Sequence, residues 1–160
     1  MGSNLASEPY GTPREVCMAA TAALEARGLR ILSRSSWFRT APVPVSDQPW
    51  FVNGVASVAT TLGPGDLLAL LHEVESDFGR VRRVRNEARV LDLDLLAYGD
   101  LVADGPEGPL LPHPRLQERA FVLLPLAEVA PDWHHPRTGR SVADMIRDLP
   151  GGQQVQPEGE

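Results

Sequence analysis

The chain has 160 residues, 42% hydrophobic and 22% charged, enough for one compact domain with a real core. A formal net charge of −6 argues against bulk nucleic-acid binding, and no apolar run is long enough to span a bilayer. All fifteen basic residues are arginine, which removes the P-loop lysine, the Schiff-base lysine and any lysine general base.

The single cysteine, Cys17, falls among Val16, Met18 and Ala19 and reads as a small core-facing residue. No signal-peptide pattern opens the chain, so a cytoplasmic protein is expected. A helix begins near "TPREVCMAATAALEARG": Thr12 is a good N-cap, Pro13 takes the first helical position, Glu15 completes a capping box, and Gly28 closes the element. Residues 29–39 read as a strand. "TAPVPVSDQPW" (40–50) holds three prolines and reads as a loop. "FVNGVASVATTL" (51–62) alternates as a strand does. "GPGDLLALLHEVESDFG" is an amphipathic helix in which Leu67, Leu70, Leu71, Val74 and Phe78 share a face, with Gly79 as its stop. An arginine-rich segment (80–89), a strand (90–98) and a Gly/Pro-rich excursion (99–109) follow. "RLQERAFVLLPLAEVAP" reads as a helix kinked or broken at Pro125, and "SVADMIRDLP" as a short helix capped by Ser141. The tail "GGQQVQPEGE" (151–160) reads as disordered. This order predicts an α+β sandwich, helices covering a mostly antiparallel sheet.

Within "RVLDLDLLAYG" two carboxylates interrupt an apolar strand. Residues i and i+2 of a strand point the same way, so Asp92 and Asp94 share one face while Leu91, Leu93 and Leu95 share the other. Adjacent carboxylates repel unless a cation lies between them, and Mg²⁺, which takes a few carboxylates together with substrate phosphates, suits the pair. Taken alone, the pair reads more readily as a half-exposed strand with an acidic outer face. Upstream, "RVRRVRNEAR" packs Arg80, Arg82, Arg83, Arg85 and Arg89 into one stretch without an apolar stripe, either a solvated charged loop or a cover for phosphate oxygens. "LPHPRLQERAF" holds His113 between two prolines, with Arg115 and Arg119 after it. A lone histidine is more often structural. In "QPWFVN", Phe51 and Asn53 share a strand face, where an aromatic ring and an amide can grip a flat heterocycle or can be an edge aromatic beside a stray Asn.

Taken together, "GSNL", "FRTAPVPVSDQPWFVN", "HEVESDFGRVR", "RVLDLDLLAYG" and "LPHPRLQERAFVLLPLAEVAP" resemble the 6-hydroxymethyl-7,8-dihydropterin pyrophosphokinase family of folate biosynthesis, over residues 2 to about 150. The resemblance implies a ferredoxin-like α/β sandwich, and ATP and the dihydropterin as substrates. The β,γ-pyrophosphoryl group moves to the pterin hydroxymethyl oxygen, with release of AMP. It implies that Asp92 and Asp94 hold two Mg²⁺ ions. Thr40, Val43, Phe51, Asn53 and Phe121 fall where the family grips the pterin. Glu75, Arg82, His113 and Arg119 fall at ATP-contacting positions, and Arg80 and Arg89 resemble loop arginines that close over the phosphates. Two departures stand out: Asn86-Glu87-Ala88 replaces an aromatic Trp-Gly-Pro in a loop one residue shorter, and the chain opens on "MGSNL" where the family has an apolar strand. A single catalytic domain over 1–150, with that first strand missing or truncated, is therefore expected, monomeric and with no membrane or nucleic-acid partner. A non-catalytic ferredoxin-like module that holds nucleotide or pterin is the alternative, and a metal-dependent phosphohydrolase a weaker one.

Overall fold

A computed structural model describes residues 1–7, 9–42, 44–79, 90–106 and 108–159. In chain order the elements are β1 (Gly2–Ser3), α1 (Pro13–Ala26), β2 (Arg30–Arg34), β3 (Phe38–Thr40), β4 (Phe51–Asn53), β5 (Ala56–Ala59), α2 (Pro64–Asp77), a 3₁₀ turn (Leu116–Glu118), α3 (Ala120–Val129), α4 (Val142–Arg147) and β6 (Val155–Pro157). No described helix is long and apolar enough to cross a membrane.

Local chemistry sets the helix starts. The Glu15 N–H donates to Thr12 Oγ1 at 3.3 Å and the Thr12 N–H donates to Glu15 Oε2 at 2.7 Å, the reciprocal capping box expected for α1. Ser141 Oγ accepts the Asp144 N–H at 3.1 Å and caps α4. Gly79, at φ +87°, supplies the left-handed residue just after α2. The expected helix over 115–131 is divided instead, and the break falls at Arg119, which is extended (φ −113°, ψ 111°), not at Pro125. Pro125 lies inside α3 and removes one internal N–H from a ten-residue helix without ending it.

The sheet is antiparallel throughout, in the order β1-β4-β3-β6, with β2 and β5 forming a separate two-stranded ribbon. The two long strands expected at 29–39 and 51–62 are thus each split in two. The split has a cause in Ser35: its N–H donates to the Val55 carbonyl at 2.8 Å, while its hydroxyl accepts the Val55 N–H at 2.9 Å and donates to the Ser36 carbonyl at 2.8 Å. A side chain here replaces a backbone rung. Opposite it, a Cβ on Gly54 would lie 2.6 Å from the Trp37 ring, so the crossing point admits no side chain.

The acidic segment expected as a strand over 90–98 pairs as one only at a bridge between Asp92 and Gly2, through hydrogen bonds of 2.8 and 2.9 Å. Its next groups go elsewhere: the Leu93 N–H to Glu75 and the Leu96 carbonyl to the His113 N–H. Residues 151–160, expected to be disordered, instead carry β6, with Val155 opposite Thr40 and Pro157 opposite Phe38. The edge of β3 offers that tail backbone partners which composition does not reveal.

Among the described residues, two larger apolar cores flank the sheet, beside a small cluster of Cys17, Trp37 and Val52. Val16, Ala20 and Leu24 of α1 and Leu67, Leu71 and Val74 of α2 pack with Leu91 and Leu93 on one side, and Leu95 joins them. Leu123 and Leu126 of α3 and Val142 and Met145 of α4 pack with Val55 and Leu96 on the other. Odd leucines of the 91–96 segment face the first core and the even Leu96 faces the second, so Asp92 and Asp94 emerge on the α3 side. A cavity of about 510 Å³ lies between Val55–Thr60 and Leu93–Gly99. Its walls are largely apolar, and among the expected site residues that the structure describes only Asp94 touches it.

Candidate active site

The site is built where β4, the 92–94 segment and the start of α3 meet. Asp92 is half-buried and Asp94 exposed, on the face predicted from their spacing. Glu75 reaches the same segment from α2. It is buried, and its Oε2 accepts the Leu93 N–H at 2.7 Å, so a carboxylate on the helix side fixes the peptide between the two aspartates.

His113 is half-buried. Its N–H donates to the Leu96 carbonyl at 2.8 Å, and its Nδ1 accepts the Arg115 N–H at 3.2 Å, which leaves a neutral ring protonated at Nε2. Burial pulls its pKa below the usual histidine value. Asp94 and then Asp92 oppose that pull, while Arg119 and Arg115 add to it. Arg119 is also pulled below its ordinary value, by burial and then by Arg115, with Asp94 and Asp92 opposing. The aspartate pair, His113 and Arg119 therefore share one electrostatic neighbourhood. The Arg119 guanidinium carbon lies 5.4 Å from the centroid of the Phe121 ring, within cation–π range, which ties an expected ATP-side residue to an expected pterin-side one.

The polar cradle is as compact. Asn53 and Thr40, both buried, are joined by a 2.6 Å hydrogen bond from Asn53 Nδ2 to Thr40 Oγ1. Thr40 lies opposite Phe51 in the β3–β4 register, and Phe51 is half-buried. Gly2 sits between the two groups, paired with Asn53 on one side and Asp92 on the other. A Cβ on Gly2 would strike Asn53 Oδ1, so only glycine admits the amide there. Thr40, Phe51, Asn53, Phe121, Asp92, Asp94, His113 and Arg119 thus occupy contiguous elements. Glu75 approaches from the opposite layer. Val43, Arg80, Arg82 and Arg89 lie outside the described residues, as does the Asn86-Glu87-Ala88 departure.

Two residues at this site carried no assignment from the sequence. Arg115 modulates both His113 and Arg119; its place beside them was the only signal. Gly2 stood inside "GSNL" with nothing local to show that it is flanked by two strands.

The donor chemistry admits a hard cation. Asp92 and Asp94 offer carboxylate oxygens only, and among the described residues no group of three or more His, Cys, Asp or Glu converges on a metal position. An oxygen pair that leaves most of the coordination sphere to phosphate and water fits Mg²⁺ and does not fit a closed Cys/His cage.

An α+β sandwich with an acidic pair beside a polar, aromatic-edged cradle has the arrangement of a group transferase. Residues 1–131 match the family profile of 7,8-dihydro-6-hydroxymethylpterin-pyrophosphokinase. A 2-amino-4-hydroxy-6-hydroxymethyldihydropteridine pyrophosphokinase of Pseudomonas aeruginosa is 42% identical over 151 residues, 94% of this chain and 89% of that protein. One of Methylorubrum extorquens is 47% identical over 106 residues, 66% of each chain. The folic acid synthesis protein of Pneumocystis carinii is 36% identical over 149 residues, 93% of this chain but 19% of that longer protein. The chain belongs to the 7,8-dihydro-6-hydroxymethylpterin-pyrophosphokinase family.

Proposed function

We propose that this protein moves the β,γ-pyrophosphoryl group of ATP onto the hydroxymethyl oxygen of 6-hydroxymethyl-7,8-dihydropterin, giving AMP and the pterin diphosphate for folate synthesis. The observation that carries the residue-level reading is the junction at Gly2, where the acidic pair and the Asn53–Thr40 cradle meet across a single residue.

Asn53 and Thr40, with Val43, bind the polar edge of the pterin, and Phe51 and Phe121 flank its ring. Glu75, Arg82, His113 and Arg119 bind ATP, Glu75 also propping the acidic segment from behind. Asp92 and Asp94 hold Mg²⁺, for which we favour two ions. Held by these two carboxylates, Mg²⁺ would supply neutralisation of phosphate charge and would lower the pKa of the pterin hydroxyl. The hydroxymethyl oxygen forms its bond to the β-phosphorus as the bond from that phosphorus to the bridging α,β oxygen breaks. The hydroxyl proton passes through an aspartate of the pair to water. Arg80 and Arg89 offset charge on the transferring group, a role that acts mainly in the transition state. Cytoplasmic residence and a monomeric state go with this reading, and light scattering after size-exclusion chromatography tests the second.

Incubation with ATP, Mg²⁺ and the dihydropterin, with the nucleotide product identified, is the direct test. AMP in equal amount to pterin diphosphate is expected. ADP or inorganic phosphate alone would indicate a hydrolase, and unchanged ATP a binding module.

A further inference from the structure

Gln153 lies in the tail that composition marks as disordered, yet its side-chain amide straddles Arg119. Its Oε1 accepts the Ala120 N–H at 2.8 Å, and its Nε2 donates to the Glu118 carbonyl at 2.8 Å. Nε2 also donates to the Pro150 carbonyl at 3.3 Å, closing the tail's own turn. An amide that donates to the carbonyl of one peptide group and accepts from the N–H of the next pairs with the residue between them as a strand would. That residue, Arg119, is the extended break between the 3₁₀ turn and α3. The Ala120 N–H is one of the donors that a helix start leaves without an intrahelical acceptor, and α3 has no side-chain cap on its N-cap residue. Gln153 supplies the missing partner from outside the helix.

The segment that carries Gln153 is itself fixed. The Ala41 N–H donates to the Gln154 carbonyl at 3.1 Å, and β6 runs antiparallel to β3 with Val155 opposite Thr40. The tail thus spans from the Arg119 junction to the strand that bears Thr40.

We infer that Gln153 is a positioning residue for Arg119: it locks the extended backbone from which the guanidinium is aimed at the phosphate-binding neighbourhood. Without the amide, the Ala120 N–H and Glu118 carbonyl turn to water, and the junction no longer holds one conformation. The inference rests on the reading of Arg119 as an ATP-contacting group.

Steady-state kinetics of Gln153→Ala, Arg119→Ala and the double variant test it, with thermal melts in parallel. Gln153→Ala is expected to raise KM for ATP roughly five- to tenfold, the scale of one or two net hydrogen bonds, with kcat within about twofold. Gln153→Glu keeps the acceptor for Ala120 but sets a carboxylate oxygen against the Glu118 and Pro150 carbonyls, so its KM for ATP should rise at least as far as that of the alanine variant; should the alanine variant fail to fold, the glutamate variant carries the comparison. In the double variant the KM should match that of Arg119→Ala alone, because Gln153 acts only through Arg119. A lowered Tm with unchanged KM for ATP, or KM effects that simply multiply in the double variant, overturns the inference and leaves the role of Arg119 standing. An Arg119→Ala protein with wild-type KM for ATP overturns both.

Discussion

Asp92 and Asp94 share one face of their segment but not one environment: the first is half-buried and bridged to Gly2, the second exposed. Either Asp92→Asn or Asp94→Asn is expected to abolish transfer, since one remaining carboxylate binds the metal far less well. Removing a like charge at exposed Asp94 should leave Tm in Mg²⁺-free buffer unchanged or higher. Product assays at saturating Mg²⁺ together with melts check both statements, and an Asn variant that turns over near the wild-type rate defeats the metal assignment. Asn53 calls for a different design, because it satisfies Thr40 in addition to the pterin role proposed for it. Asn53→Ala strands the buried Thr40 hydroxyl and should cost roughly 1–3 kcal/mol of stability and a similar loss in pterin affinity, with much less change for ATP. Adding Thr40→Val should restore much of the stability but none of the affinity. Calorimetry with each ligand separates these outcomes, and equal losses for pterin and ATP would make Asn53 a structural residue.

The loop before α4 is held by its histidine. His135, 5% exposed, accepts the Arg137 N–H at Nδ1 (3.2 Å), donates its own N–H to the Arg140 carbonyl and accepts the Gly139 N–H at its carbonyl. Burial, and secondly the Arg137 charge, push its pKa below the ordinary value. The folded state therefore favours the neutral ring and the unfolded chain binds the extra proton. The resulting stability is complete above the unfolded value of about 6.5 and is lost as pH falls from there to the folded-state pKa. His135→Asn, which keeps an acceptor near the Nδ1 position, should be less stable than the parent above the unfolded value of about 6.5, and the gap should narrow as pH falls below it. Melting curves across that range decide it; a constant gap means the proton plays no part. The elements themselves were legible where their signals are local. Thr12, Pro13 and Glu15 announce α1 because capping is settled within four residues. Ser35 announces nothing, since the sheet breaks where its hydroxyl meets Val55, twenty positions away. Gln153 is similar: in a polar, glycine-rich run, only the presence of α3 gives its amide a use.

At the scale of the molecule, the sandwich and its acidic face could be read from the alternation of leucines and aspartates between 91 and 95, because a half-covered strand must put its apolar side under a helix. The grouping of His113 and Arg119 with that face was legible only through the resemblance; no spacing rule brings residues about twenty positions apart to one spot. The role of Gly2 was not legible at all, and it carries the widest consequence. On the substrate placement proposed above, one residue without a side chain is the party wall between the two substrates: Asn53 adjoins it on one side and Asp92 on the other. Whatever a ligand does to order one neighbour is transmitted to the other through two hydrogen-bonded peptides, so the substrates should not bind independently. A coupling of roughly 5-fold or more in ATP affinity on adding an unreactive pterin is expected, with the same factor in the pterin's affinity on adding a non-hydrolysable ATP analogue. Gly2→Ala, whose Cβ collides with Asn53 Oδ1, should weaken pterin binding and shrink that factor towards one while the ATP affinity of the pterin-free protein changes little. Titrations of each ligand with and without the other measure it, and a factor of one in the parent protein would make the wall an insulator.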